Sequence, residues 1–280
     1  MAINLSSILT DDEQRLIKRC DELYSRADNG VVGFSNFLNL RERFIIENQR
    51  SAIFAGDDSD PLCFFFGGYP SAERTLLCTL PAYYRYSLTD GMSPEEAFRD
   101  ELSGAIVPVR IKTSGYVKLA HRDFLGSLIG LGIERTAMGD ILPDKEGAII
   151  FVSPTVASVI KSELTYIGRD KVKATDITLP DDFNFHREFE KISGTVASPR
   201  LDAVLSELAR TSRETAKTLI EQGLVEHNHF TAQRPDREVE NGDIISVRKV
   251  SGTKGGKFIV DSLDERSSKG RIRLAARRYI

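Results

Sequence analysis

Arg213 and Lys217 stand four residues apart, in a segment whose apolar residues Ala216, Leu219 and Ile220 gather on the opposite face of a helix. Arg200 lies just ahead of a neighbouring helical pattern, Leu201, Val204, Leu205 and Leu208, spaced i, i+3, i+4 and i+7. Guanidinium holds phosphate through a fork of parallel N–H bonds, and ammonium holds it as a point charge. Three fixed cations on two short helices are therefore a means of gripping a phosphate backbone. A solvated charged face has the same spacing, so Arg213 and Lys217 alone do not decide between the two. Asp202, in the first turn of its helix, suits the positive end of the helix dipole.

Other constellations lead away from catalysis. His121-Arg122-Asp123 mimics a kinase catalytic loop, but the asparagine required five residues after the aspartate falls at Leu128. His121 and Asp123, two apart on a helix, point in different directions and make a poor acid–base pair. A dinucleotide fingerprint starting at Gly130 would need glycine where Arg135 stands, and the loop Gly252–Lys257 is not followed by a helix-opening GK[ST]. No CxxC occurs, and His227 and His229 have no cysteine nearby, so no zinc site is written here. Cys20, Cys63 and Cys78 are expected to be buried, reduced thiols of a cytoplasmic protein.

The elements that must position these residues follow from periodicity and capping. Thr10 and Glu13 frame a helix over 10–28, and a second helix is expected from Ser35 to about Asn48 with Phe37, Leu38, Phe44 and Ile45 inward. Leu62–Phe66 and Thr75–Leu80 read as paired strands. Pro94-Glu95-Glu96 opens a helix; 105–111 reads as a strand, with Pro108 suggesting an edge or bulge. Helices are expected over 121–131 and 155–164, and strands over 148–152 and 171–177. After a strand over 187–196 come the two helices of the cationic segment. The second opens at Thr211-Ser212-Arg213-Glu214, in the form of a capping box, and stops at Gly223. Strands over 224–228 and 243–248 complete the set. The fold class is α+β.

A chain of 280 residues is long for one ordinary domain, and its 41% apolar and 28% charged residues are those of a globular protein. No apolar run reaches the roughly 20 residues of a membrane-spanning helix, and Met1-Ala2-Ile3-Asn4-Leu5 followed by acids does not read as a secretory signal. The net charge of −3 and a pI near 5.9 speak against a nucleic-acid binder only as averages. Residues 198–280 hold 16 lysines and arginines against 12 acids, a charge of +4, whereas 1–197 hold 22 against 29, a charge of −7. From Arg266 onward, Arg266, Lys269, Arg271, Arg273, Arg277 and Arg278 face no acid through Arg278, and this stretch is expected to form a less ordered basic arm.

Residue order adds to these signals. Arg200-Leu201-Asp202, Leu205, Ser212-Arg213, Ala216, Leu219-Ile220, Gly223, Val225, Asn228, Gly242-Asp243-Ile244 and Arg248 closely resemble the S4 RNA-binding domain, over about 198–250. That module occurs in ribosomal protein S4, pseudouridine synthases, some tyrosyl-tRNA synthetases and a heat-shock ribosome-recycling factor. The resemblance implies an αL-type fold whose two helices lie against RNA, reading shape and phosphates more than sequence. Asn228-His229 departs from the usual Asn-Gly, and the loop from Lys249 to Phe258 is longer than usual.

The body resembles the YlmH family of bacterial S4-containing proteins through His121–Leu128, Gly130, Gly132-Ile133, Arg135, Gly139-Asp140-Ile141, Gly67-Gly68-Tyr69, Ala72-Glu73-Arg74 and Ile167-Gly168-Arg169. The resemblance implies an RRM-like N-terminal domain over 1–82, a central α+β domain assigned to RNA binding over 83–182, an S4 domain with its leading strand over 183–265, and the basic tail 266–280. It further implies a ribosome-associated protein that rescues large subunits carrying obstructed peptidyl-tRNA, binding ribosomal RNA and tRNA, without catalytic residues, cofactor or metal. The RNA-binding residues are then Arg200, Ser212, Arg213, Lys217, Asn228, Arg248, Lys249, Lys254 and Lys257, while His121, Arg122, Arg135 and Arg169 bind RNA or support the fold. Only 78 residues follow Asp202, too few for a pseudouridine synthase catalytic domain. A cytoplasmic monomer is expected. The alternatives are an adaptor, tethered to RNA and linked to cell division by a protein bound to the acidic body, and, more remotely, an RNA-modifying enzyme.

Overall fold

Thr10 caps α1 (Asp11–Asp28) in a reciprocal box with Glu13, and Ile17 and Cys20 bury its inner stripe. β1 (Gly33–Phe34) follows, then α2 (Leu40–Gln49), which starts later than its apolar pattern suggests. Asn39 and Glu42 form its capping box, and the preceding Leu38 bridges Thr75, so Phe37 and Leu38 are buried from an extended segment. The computed structural model describes residues 9–88, 91–180, 182–185, 187–250, 253–263 and 270–279. It divides into two compact units, 1–185 and 186–280.

In the first unit, α3 (Ser51–Phe54) leads to β2 (Leu62–Phe66) and β3 (Leu76–Leu80), which form an antiparallel sheet in the order β1-β3-β2. An RRM presents four strands; this sheet has three among the described residues. Next come α4 (Pro94–Ala97), α5 (Arg99–Ser103), β4 (Val107–Thr113), α6 (His121–Gly130), β5 (Met138–Pro143), β6 (Gly147–Val152), α7 (Pro154–Glu163), β7 (Tyr166–Ile167) and β8 (Asp170–Asp176). Their sheet runs β5-β6-β4-β8-β7, every pair antiparallel.

β4 is thus an inner strand, not an edge. Pro108 is tolerated because a residue's N–H and C=O point to the same side of a strand. Its carbonyl accepts from Ile177 N–H at 3.3 Å, past the last residue of β8, so the missing N–H lies where that neighbour's ladder has ended.

β6 is buried along its whole length. Ala148, Ile150 and Val152 face Phe124 and Leu128 of α6 and Ala157 and Ile160 of α7. Ile149 and Phe151 pack with Leu76 and Cys78 of β3 and with Phe37 and Tyr69 from the segments beside that sheet. Both faces being covered explains its unbroken apolar run. It also means that the boundary expected near residue 82 is a change of sheet inside one unit.

The second unit comprises β9 (Phe189–Val196), α8 (Leu201–Leu208), α9 (Arg213–Glu221), β10 (Val225–His227), β11 (Phe230–Thr231), β12 (Ile244–Val247), β13 (Gly256–Ser262) and β14 (Ile272–Tyr279). Its antiparallel sheet runs β11-β10-β12-β13-β14-β9. Leu201, Val204, Leu205 and Leu208 of α8 and Ala216, Leu219 and Ile220 of α9 pack on Val225, Ile245, Phe258, Val260 and Leu274.

The basic segment expected to be an arm is, over 272–279, a strand between β13 and β9, in continuous register from Ile272↔Val196 to Tyr279↔Phe189. Leu274 and Ala276 face inward, alternating with Arg273, Ala275 and Arg277 on the other face, which is enough to bury one face. Arg266 and Lys269 lie outside the described residues.

Candidate functional site

Ser212 caps α9, its Oγ accepting from Thr215 N–H at 3.0 Å, one residue later than the box expected at Thr211. Arg200 occupies the cap position of α8, where the loop 235–239 supplies acceptors for the first free N–H groups. Leu201 N–H donates to Arg237 C=O at 2.8 Å and Asp202 N–H to Pro235 C=O at 2.9 Å. Two helix starts are thereby fixed side by side, and their first turns bring together Arg200, Asp202 and Arg213.

The Asp202 carboxylate is buried and accepts from both guanidiniums. Arg200 donates Nε and Nη2 at 3.2 and 3.1 Å, and Arg213 donates the same pair at 3.1 Å each. Burial alone would raise the Asp202 pKa; the hydrogen bonds and charges of Arg200 and Arg213 outweigh it and hold the carboxyl below its ordinary 3.8. Asp202 is more than a helix-dipole acid. Two positive groups share one negative group, each guanidinium keeps three N–H donors unused on this carboxylate, and the arginine side chains remain 42% and 50% exposed. Their forks are oriented before any ligand arrives. Lys217 extends the stripe, 58% exposed, with Glu221 at 3.7 Å. Arg210, in the turn between the helices with φ 51, is exposed beside them. Sequence reasoning passed over Arg210, Arg234 and Arg237. Arg210 stands two residues before the cap, a position where a cation was legible; Arg237 reaches the start of α8 through its backbone carbonyl, and Arg234 forks onto Asp236.

Asn228 and His229 adopt left-handed conformations, φ 49 and 69, in the two-residue turn between β10 and β11. The Asn-His pair therefore makes the tight turn that Asn-Gly usually makes. Asn228 Nδ2 donates to Asp243 at 2.6 Å and its Oδ1 accepts from Ile244 N–H at 2.8 Å, so this side chain is committed to the fold. Buried His227 shares Asp243 through Nε2 at 2.5 Å.

Arg248 and Lys249 are exposed after β12. Lys254, by contrast, is drawn onto Glu190 together with Arg278, and Lys257 lies over the Tyr279 ring at 4.6 Å. Of the intervening loop, Ser251 and Gly252 lie outside the described residues. The expected extension of the phosphate-binding surface is thus exposed at Arg248 and Lys249 and turned inward at Lys254.

In the first unit the family-like segments converge on Asp140. It accepts Tyr69 Oη–H at 2.5 Å, Glu73 N–H at 2.8 Å and Arg74 N–H at 3.1 Å. Arg74 continues inward to the carbonyls of Met138, Phe37 and Arg135, and burial followed by the charge of Arg135 brings its pKa down to about 10. Burial also lowers Arg135, and partial desolvation followed by the Arg135 charge lowers His121. Arg135 Nη1 is buried without a partner among the described residues. Arg135 is thus half-buried, with Nη1 inside and its carbonyl held by Arg74. Asp123 caps its own helix, accepting from Ala120 N–H at 2.7 Å.

Arg122 and Arg169 both line a cleft of about 460 Å³, together with Lys118, Gly126, Ser127 and Gly168. The three cysteines are buried and free; burial pushes Cys20 and Cys63 up to about 12 and Cys78 further in the same direction. Among the described residues no group of three His, Cys, Asp or Glu could hold a metal, and no helix is long and apolar enough to cross a membrane.

Against known proteins, a family model described as "Putative RNA-binding domain in YlmH" matches residues 105–181. The "Ribosome-associated protein quality control protein P2" of Bacillus subtilis (strain 168) is 33% identical over 214 residues, 76% of this chain and 76% of that protein. A solved structure, "Cell division protein ylmH from Streptococcus pneumoniae", is 19% identical with a TM-score of 0.47, covering 63% of this chain and 97% of that one.

Proposed function

Since the chain belongs to the YlmH family, we propose that it binds structured RNA on the large ribosomal subunit, ribosomal RNA and tRNA, in ribosome-associated quality control or rescue. The observation that carries this reading is the pair of guanidiniums, Arg200 and Arg213, oriented on one buried carboxylate at the start of two helices. Each fork retains donors for phosphate oxygens, and Lys217 and Arg210 add point charge on the same helix pair. Residue order over 198–250 supports assigning this part to the S4 type. The quality-control role named for the Bacillus relative supports the ribosomal setting.

The parts contribute differently. Ser212 and Asn228 hold the helix start and the hairpin, while Arg200, Arg213 and Lys217 touch RNA, with Arg248 and Lys249 further along the surface. Binding is by shape and phosphate position, which suits a folded RNA. No covalent step is assigned.

The test is the salt dependence of RNA affinity. Each phosphate contact contributes a slope of about −0.9 on duplex (calibrated on B-DNA) and about −0.7 on single strands. Arg213→Ala with Lys217→Ala is expected to flatten the slope by roughly one to two units and to weaken co-sedimentation with large subunits. Unchanged co-sedimentation of the double variant would sink the assignment of the α8–α9 face.

A further inference from the structure

Pro81 leads into a 3₁₀ helix, Ala82–Ser87, in which Tyr84 N–H donates to Pro81 C=O at 3.0 Å. Two of its side chains fasten it to the first unit. Tyr84 meets the Phe98 ring edge-on with centroids 5.0 Å apart, and Arg85 donates to the carbonyls of Asp60 and Pro61 at 2.8 and 2.9 Å. Three residues per turn place positions i and i+3 one above the other. Tyr83 and Tyr86 therefore form a row, and both are turned to solvent, 58% and 77% exposed. Tyr83 is steadied by stacking on Tyr84 at 4.8 Å between centroids, whereas Tyr86 has no ring contact or hydrogen bond among the described residues. Two large rings held outward on a fixed helix add nothing to the core, and tyrosine is a residue in which binding surfaces are enriched.

The surroundings select the occupant. Residues 82–103 contain five acids, Asp90, Glu95, Glu96, Asp100 and Glu101, against Arg85 and Arg99, a charge of −3. Arg85 directs its donors to carbonyls, while Glu101 lies at the Tyr84 hydroxyl and Asp100 is exposed on α5. Such a field repels a polyanion, so nucleic acid does not suit this row. A purely apolar partner would strip water from the carboxylates without replacing its hydrogen bonds. A cation is drawn both to the carboxylates and to the negative face of a tyrosine ring. Spacing adds a further condition. Three residues of a 3₁₀ helix rise about 6 Å, and alternate residues of an extended chain stand about 6.6 Å apart. An extended chain with a cation at every second residue can thus set one on each ring.

We propose that Tyr83 and Tyr86, with the carboxylates of α4 and α5 beside them, form a docking row for an extended basic segment of a partner protein that carries lysine or arginine at alternate positions. The row belongs to the first unit and does not depend on the reading of the protein as an RNA binder.

The test uses the full chain and a labelled nine-residue peptide in which lysine and serine alternate. Tyr83→Ala with Tyr86→Ala is expected to weaken its binding about fivefold to thirtyfold, the loss of two exposed cation–π contacts. The melting temperature should not fall, since both rings stand in solvent. Tyr83→Phe with Tyr86→Phe keeps both ring faces and is expected to bind within about twofold of wild type. Glu95→Gln with Asp100→Asn is expected to weaken binding about threefold and to flatten its salt dependence. A peptide of the same composition, with lysines in adjacent pairs separated by two serines, has no two lysines at alternate positions. It can reach one ring at a time and should bind about twofold to fivefold more weakly.

Wild-type affinity in the alanine variant overturns the proposal, as does a wild-type chain that does not bind the alternating peptide. A loss in the phenylalanine variant as deep as in the alanine variant overturns the role of the ring faces in favour of the hydroxyls. Equal affinity for the two lysine peptides overturns the alternate spacing. Equal competition by a peptide alternating leucine and serine overturns the cationic partner in favour of an apolar one. A wild-type dimer in sedimentation that the alanine variant abolishes overturns the proposal in favour of a second copy of this chain.

Discussion

Asp202 sets the character of the cationic face because it neutralises one positive charge while orienting two. Replacing it with alanine would leave Arg200 and Arg213 without their common acceptor. Since both arginines are about half exposed, water screens much of the loss, and the expected destabilisation is about 1–2 kcal/mol by urea unfolding. RNA affinity should fall as well, although net positive charge rises, because the forks lose their fixed direction. Retained affinity with a lower urea midpoint would mean that orientation is unimportant. The depressed Asp202 pKa gives a pH signature. A carboxyl held lower in the folded state than its ordinary 3.8 contributes stability that is complete above that value and disappears as pH falls through the folded pKa. The stability difference between wild type and Asp202→Asn should therefore be constant near neutral pH and shrink below about pH 3.8. A difference that vanished already near pH 6 would contradict this origin. The arginines and their helix phase were legible in the sequence; their common acceptor was not, because a side chain's partners across two helices depend on how those helices pack.

Element geometry explains several positions whose sequence signals pointed elsewhere. Gly68 has φ 93, and a Cβ there would stand 2.4 Å from the Phe151 ring. Gly68→Ala should cost about 2–3 kcal/mol through forced repacking and an unfavourable backbone, measured as a lowered melting temperature. The hairpin turn at Asn228-His229 predicts the opposite sign. Glycine accepts the left-handed conformation more readily than histidine does, and the gain is partly offset by the freedom it adds to the unfolded chain. His229→Gly should stabilise by about 0.5 kcal/mol, raising the melting temperature by about 2–4 °C. No rise would show that the histidine's own contacts compensate for its backbone. β14 hid behind its arginines: charge dominated the reading, while two inward apolar residues, Leu274 and Ala276, sufficed to place the strand between two neighbours. β4 misled in the other direction, since a strand proline needs only that its missing N–H face no ladder partner, and at Pro108 the β8 ladder has already ended.

For the molecule as a whole, two compact units predict two unfolding transitions. Gly68→Ala should lower one of them and Asp202→Ala the other, each leaving its counterpart within about 1 °C, since distant, independent sites act additively. A calorimetric trace with one transition that both substitutions shift equally would instead show the units unfolding together. The partition of charge belongs to this scale also. The basic part carries the oriented arginines of α8 and α9, and the acidic body still displays Lys118, Arg122 and Arg169 around one cleft. Net charge is a poor guide to the partners of such a chain, because association responds to local potential rather than to the average.

By itself, the sequence determined the α+β class, most helix starts, the apolar strands, the charge partition and the cationic helix pair. Caps, periodicity and turns involve residues within about four positions of one another, so local order is sufficient to write them. Only the tertiary structure decided that Asp202 joins Arg200 to Arg213, that Asp140 gathers Tyr69, Glu73 and Arg74, that the last basic segment is a sheet strand, and that Arg122 and Arg169 face one cleft. Each of these depends on residues 11 to 90 positions apart coming together in space, and such meetings are set by how buried faces cover one another, a property of the packed whole that no local pattern contains.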